Sequence, residues 1–177
     1  MLIVITGGPG SGKSTLIERL EADGHARTHE AGRGVIQDQM AIDGPGLPWR
    51  DVGLFAELML SWELRSYHLA SARPSPVFFD RGVPDVIGYL RLEGRPVPAH
   101  LAKAAATFRY DRVFIAPPWP EIYEQDAERR QPYEVAVKTY EAMVATYTDH
   151  GYDLVELPKD SPAARAAFVT TRCGPRG

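Results

Sequence analysis

Residues 7–15 read Gly-Gly-Pro-Gly-Ser-Gly-Lys-Ser-Thr and match G-x-x-x-x-G-K-[ST] from Gly7 without a mismatch. Before the run, Leu2-Ile3-Val4-Ile5 reads as a buried strand. After it, Ser14 to Leu20 reads as a helix. Strand, glycine loop and helix in that order curl the backbone so that several N–H groups converge on one phosphate group. The helix N-terminus adds partial positive charge at the same point. Gly8, Pro9, Gly10, Ser11, Gly12, Lys13, Ser14 and Thr15 are therefore the expected nucleotide-binding residues. Lys13 is placed to reach the β- and γ-phosphates, and the Ser14 hydroxyl to ligate Mg²⁺. The bland alternative, a glycine-rich turn without a ligand, does not account for the flanking strand and helix.

The 177 residues suit one domain, 1–177, with room for a sizeable core. Hydrophobic content of 44% and charged content of 24% are those of an ordinary globular chain. A formal charge of -3 gives no reason to expect nucleic-acid or anionic-membrane partners. Cys173 stands alone, so no internal disulfide is expected and a reducing cytoplasm fits. A strand starting at Leu2 leaves no room for a leader peptide. No apolar run is long enough to span a membrane. Nothing in the sequence speaks to oligomeric state.

Strand and helix signals alternate, the pattern of parallel β-α-β units. His25 to His29 is a short candidate second strand, followed by a helix over Glu30 to Ile42. Asp51 caps the next helix, where Phe55, Leu58, Met59, Trp62 and Leu69 form an apolar stripe at helical spacing. Val77-Phe78-Phe79 is a strand ending at Asp80. Helices follow over Pro84 to Leu92 and Pro98 to Thr107. Arg112 to Ala116 is a strand stopped by Pro117-Pro118. Glu121 to Arg130 and Pro132 to His150 read as helices, with Ala136, Tyr140, Met143 and Tyr147 facing inward in the second. Asp153 to Leu157 is the last strand, and Ser161-Pro162 opens the last helix. The expected architecture is α/β, a doubly wound five-stranded parallel sheet with helices on both faces. Ligands bind such sheets at the carboxyl ends of the strands. The glycine loop, Glu30, Asp80 and Pro117-Pro118 should converge there.

Asp80, ending an apolar strand that faces a phosphate loop, can hold Mg²⁺ or take a proton from an attacking hydroxyl. Arg81 can clamp a phosphate or an acceptor group. Glu30 and Arg33 lie three apart and share a helix face, with Glu30 a candidate base and Arg33 a candidate acceptor ligand. Whether Glu30 or Asp80 takes the proton is open at this point. Asp126, Arg129 and Arg130 follow strand four, where a closing helical lid over about 117–133 could bring arginines to a triphosphate. Asp85 and Tyr89 are candidates for the acceptor pocket.

These elements together resemble the P-loop family of nucleoside and nucleotide kinases. That resemblance implies a base after strand two, an Asp-Arg pair serving Mg²⁺ and phosphate, and lid arginines. The matching positions are Glu30, Asp80-Arg81 and Arg129-Arg130. The chain is also similar to small bacterial AAA-domain ATPases grouped with kinase domains of the nicotinamide riboside kinase type. The similarity lies in Glu30-Ala31-Gly32-Arg33, in Phe79-Asp80-Arg81-Gly82, and in Pro117-Pro118-Trp119 through Gln125 to Gln131.

The expectation is a phosphotransferase moving the γ-phosphoryl of Mg-ATP to a small-molecule acceptor of nucleoside-like, nucleotide-like or cofactor-precursor type. The alternative is a nucleotide-dependent regulatory ATPase or switch. Asp80 is followed by Arg81 rather than by the Glu that orients water in many ATPases. The chain has no asparagine, so the Asn-Lys-x-Asp guanine reader of GTPases is missing. The sequence does not name the acceptor.

Overall fold

The computed structural model describes residues 1–74, 76–123 and 132–174. β1 (Leu2–Gly7) runs into the glycine loop and α1 (Lys13–Ala22). β2 (Ala26–Arg27) leads to α2 (Ala31–Ala41) and α3 (Val52–Ser71). β3 (Val77–Asp80), α4 (Val83–Leu92), α5 (Ala99–Thr107) and β4 (Arg112–Ala116) follow. A short turn α6 (Pro120–Tyr123), the long α7 (Tyr133–Asp149), β5 (Leu154–Glu156) and α8 (Pro162–Arg172) complete the chain. All strand pairs are parallel, in the order β2-β3-β1-β4-β5. This is the expected α/β sheet, with the strand that carries the glycine loop at its centre.

Alternation along the central strands feeds two layers, because successive side chains point to opposite faces. Ile3, Ile5, Phe78 and Phe114 pack with Leu16, Ile17 and Leu20 of α1 and Ala166 and Val169 of α8. Val4, Phe79 and Val113 turn to the other face, against Tyr110, Tyr147 and Tyr152. A third cluster joins α2, α3, α4 and α5 through Phe55, Met59, Leu60, Val86, Ile87 and Leu101. Phe79 is fully buried, so Phe79→Ala carries a cavity cost of about 3–5 kcal/mol.

Three details differ from the sequence reading. β2 shrinks to Ala26–Arg27, pairing only with Val77 and Phe78, and His29 lies outside it. Leu69 is 56% exposed and leaves the α3 stripe, and the neighbouring Ala70 is buried in the core instead. Tyr140 is half-buried and reaches outward, donating from its hydroxyl to Glu156 Oε2 at 2.7 Å. The boundaries of α2 and α7 fall within a residue of expectation. Glu30 stands at the N-cap of α2 rather than inside it. The Asp51 carboxylate accepts from the Leu54 N–H at 2.9 Å, the expected cap.

Candidate active site

The glycine loop is held in shape from both sides. Gly7 (φ 128), Gly10 (φ 70) and Gly12 (φ 73) adopt backbone angles open to glycine. A Cβ on Gly7 would stand 2.4 Å from the Ala116 carbonyl oxygen, and one on Gly8 would stand 2.3 Å from that of Ala136. The loop is therefore wedged between β4 and α7. The Ser11 hydroxyl donates to the Gly8 carbonyl at 2.8 Å. Lys13, buried, directs its ammonium at the same carbonyl and at Ser11 Oγ. Burial brings that ammonium down to about 7, with Arg81 adding to the shift and Asp80, Glu30 and Asp85 opposing it. Ser14 and Thr15 are exposed at the first turn of α1. Arg165 of α8 donates from Nη1 to the carbonyls of Ser11 (3.0 Å) and Gly12 (3.1 Å).

Arg81 sits at the end of β3 with φ 73, a left-handed conformation rare for a side chain of this size. Its backbone N–H donates to the Ile5 carbonyl, so the kink keeps the ladder with β1. That kink turns the guanidinium back across the loop. Nε donates to Glu30 Oε1 at 3.0 Å, while Nη1 donates to the Gly7 carbonyl at 3.1 Å and to Asp85 Oδ1 at 3.2 Å. Arg33 stands 3.8 Å from Glu30 Oε2 but is 69% exposed. Burial pushes the Glu30 carboxyl up, and the Arg81 guanidinium, joined by Lys13 and Arg33, holds it below its ordinary value. Asp80 goes the other way, raised by burial and then by the Glu30 carboxylate.

Asp85 borders the cleft above α4, yet both its oxygens are already engaged. Oδ1 accepts from the Thr6 hydroxyl and Arg81, and Oδ2 from the Gly82 N–H (2.9 Å) and the Tyr147 hydroxyl (2.6 Å). It ties β1, α4 and α7 to the arginine rather than presenting a free carboxylate.

Two clefts meet at Glu30. One, about 970 Å³, lies between α2, α3, α4 and α7 and is bordered by Pro9, Arg81, Asp85 and Tyr89. The other, about 360 Å³, is bordered by Ser14 and Asp80. Glu30 and Arg33 line both. Among the described residues, no three His, Cys, Asp or Glu side chains gather as a protein-only metal cage. Asp126, Arg129 and Arg130 lie outside the described residues.

Sequence reasoning missed two buried charged residues here. Arg165 is a single cation among the alanines at 163–167, and that isolation was its only signal. Glu63 is 2% exposed and lines the larger cleft. Its signal was a carboxylate in register with Phe55 and Met59, each four residues apart.

Two kinds of known protein resemble this one. Among curated proteins, no sequence matches. Among solved structures, NadR in complex with NR superposes with a TM-score of 0.71 at 19% identity, over 97% of this chain and 50% of that one. The chain thus spans half the length of that protein. Deoxyadenosine kinase from M. mycoides, with dCMP bound, superposes with a TM-score of 0.69 at 13% identity, covering 98% of both chains. At these identities the likeness is one of fold. A protein family described as an AAA domain matches residues 2–165, nearly the whole length. The chain belongs to that AAA-domain family and has the fold of small P-loop nucleoside kinases.

Proposed function

We propose that this protein is an ATP-dependent phosphotransferase acting on a small-molecule hydroxyl. The observation that carries the reading is the placement of Glu30 on the border of the two clefts, ion-paired with Arg81. Asp80 lines only the smaller cleft, beside Ser14. That division supports a reading with Glu30 as the base and Asp80 at the metal, in a pair the sequence leaves interchangeable.

The backbone of Gly8 to Ser14 and the Lys13 ammonium hold the β- and γ-phosphates. Ser14 and Asp80 are the oxygen donors suited to Mg²⁺, which favours one or two protein oxygens plus phosphates over a protein-only cage. When bound, Mg²⁺ neutralises phosphate charge. The acceptor lies in the larger cleft with its hydroxyl at Glu30. Its oxygen attacks the γ-phosphorus, the bond from that phosphorus to the bridging oxygen of ADP breaks, and the hydroxyl proton passes to the Glu30 carboxylate. Arg81, fixed by Asp85 and Gly7, faces the charge that develops on the transferred group. Arg33 contributes to acceptor binding from the rim. Arg129 and Arg130 complete the charge from the segment after α6. The resemblance to solved kinases supports the chemistry, and the absence of a water-orienting Glu after Asp80 supports a substrate hydroxyl as nucleophile.

The test is incubation with Mg-ATP and a pooled metabolite extract, followed by mass spectrometry for compounds that gain one phosphoryl group. A product formed by the wild type and not by Lys13→Ala establishes the activity and names the acceptor. ADP release without a phosphorylated metabolite favours a nucleotide-driven switch instead.

A further inference from the structure

A third cleft, about 580 Å³, opens between α2, α3 and the edge strand β2, and it shares no lining residue with the larger cleft. A volume of that size suits a small molecule. Its apolar surface comes from Val35 of α2, from Leu58, Trp62 and Leu69 of α3, and from Val77 of β3. Arg27, Arg65 and Arg73 add positive charge, and Asp38 is the one carboxylate on the lining. Arg27 is already engaged, donating from Nε to Glu21 Oε2 at 2.8 Å. Arg65 and Arg73 are exposed and make no ion pair or side-chain hydrogen bond among the described residues. Nothing in the mechanism above uses this cleft.

Unpaired arginines at a surface are ordinarily just solvated. The Thr28 hydroxyl has no such explanation. Thr28 lines the cleft at 9% exposure, and its hydroxyl has no hydrogen-bond partner. Its backbone N–H is spent on the Phe78 carbonyl at 2.8 Å. Buried hydroxyls are ordinarily paired, so an orphan on a cleft lining points to a ligand that completes it. A hydroxyl and two guanidinium groups together are donors suited to an oxyanion. The apolar surface beside them suits the body that carries it.

We propose that this cleft is a second ligand site for a small organic anion, with a carboxylate or phosphate head held by Arg65, Arg73 and the Thr28 hydroxyl and a flat apolar body against Trp62 and Leu58. The occupant also bears on Glu30. Arg27, His29 and Trp62 line both this cleft and the smaller one beside Ser14 and Asp80. A Cβ on Gly34 would stand 2.5 Å from the Trp62 ring, so the first turn of α2 rests on that ring. The Gly34 N–H in turn donates to the Glu30 carbonyl at 3.2 Å. A ligand pressed on Trp62 therefore shifts the turn that sets Glu30 at the N-cap of α2. Binding here and nucleotide binding beside Ser14 are then linked, each changing the other's affinity by the same factor. The site itself stands apart from phosphoryl transfer, and the linkage rests on the nucleotide reading above.

The experiment measures binding of 1-naphthoate, 1-naphthyl phosphate and the neutral 1-naphthalenemethanol to the full chain by calorimetry. At least one of the two anions should bind with a Kd below about 1 mM, and the tighter of them tells a carboxylate site from a phosphate site. The neutral alcohol should bind at least tenfold more weakly. Arg65→Glu combined with Arg73→Glu should also weaken the anion at least tenfold, and both residues are exposed, so the fold is kept. Thr28→Val keeps the side chain's shape and should weaken the anion at least threefold. Its melting temperature should be no lower than wild type, because the lost hydroxyl has no partner. Saturation with the bound anion should change the affinity for Mg-AMP-PNP at least threefold in the wild type and not in the double variant. Failure of both anions to bind overturns the proposal, as does equal affinity for the alcohol or for the double variant. An unchanged Mg-AMP-PNP affinity overturns the linkage to Glu30. A protein that binds the anion through Arg65 and Arg73 but phosphorylates nothing loses the kinase reading and keeps this site.

Discussion

Arg81 Nε donates to Glu30 Oε1 at 3.0 Å, across 51 residues of sequence, from a backbone twisted to φ 73. The contact joins the N-cap of α2 to the residue after β3 and fixes the side chain that borders both clefts. A non-glycine residue in this conformation persists only where its surroundings hold it. Here the holders are Gly7, Ile5, Asp85 and Glu30.

Arg81→Lys should lose the forked contact to Glu30, Gly7 and Asp85, because an ammonium cannot reach three directions from one plane. Turnover should fall by about 10²–10³-fold, the usual loss when a transition-state donor is removed. The KM for ATP should change far less. Steady-state kinetics at saturating ATP checks this.

The pH profile should carry the imprint of the same pair. Glu30 is held below its ordinary value by Arg81, so the acid limb of kcat/KM should lie below the usual glutamate range of about 4.3. A carboxylate whose folded-state value is depressed stabilises the fold above its unfolded value, and that contribution disappears as pH falls through the folded value. Arg81→Met removes the largest opposing force to burial, so the limb should move upward. Glu30→Gln should abolish the limb together with most of the turnover. A limb unmoved in Arg81→Met would contradict the assignment of Glu30 as base.

Lys13→Ala should abolish transfer. Arg129→Ala, in the segment beyond the described residues, should reduce turnover more than ATP affinity. Equal losses in both, measured by nucleotide binding alongside kinetics, would count against a closing role for that arginine.

Asp85 acts through Arg81, and Tyr147 acts through Asp85. Tyr147→Phe removes one hydrogen bond to a buried carboxylate and should cost about 1.5–3 kcal/mol of stability. Chemical denaturation measures the loss. Turnover should fall with it, because Oδ2 then has one donor fewer with which to hold the arginine's partner in place.

Glycine positions separate close packing from free space. Gly7→Ala should destabilise by about 1–3 kcal/mol through its clash with the Ala116 carbonyl, on top of its φ of 128. Gly94 has nothing within 4 Å of a built Cβ and only its φ of 62 to lose. Gly94→Ala should cost about 1–2 kcal/mol and leave activity unchanged. Melting temperatures of the two variants give the comparison.

Much of this architecture is legible in the chain because its signals are local. The apolar runs before Asp80 and before Pro117 mark β3 and β4, and a glycine loop between strand and helix marks the centre of the sheet. Sheet geometry then brings Glu30, Arg81 and Ser14 to one end without any contact being visible in sequence. What escaped is tertiary. β2 is short because only Ala26 and Arg27 find partners on β3. Glu63 looks like a solvated charge until α4 covers it. Arg165 looks like a surface cation until α8 folds over the glycine loop and turns it to the Ser11 and Gly12 carbonyls. Asp85 reads as a helix-start carboxylate, and only the packing of β1 and α7 reveals the Thr6 and Tyr147 hydroxyls on it.

The most direct measurement follows the γ-phosphate of ATP labelled with ³²P, with and without metabolite extract. A phosphotransferase with Glu30 as base predicts label in a small organic molecule, dependent on the extract and lost in Glu30→Gln. Label released as inorganic phosphate at the same rate without extract would contradict that account.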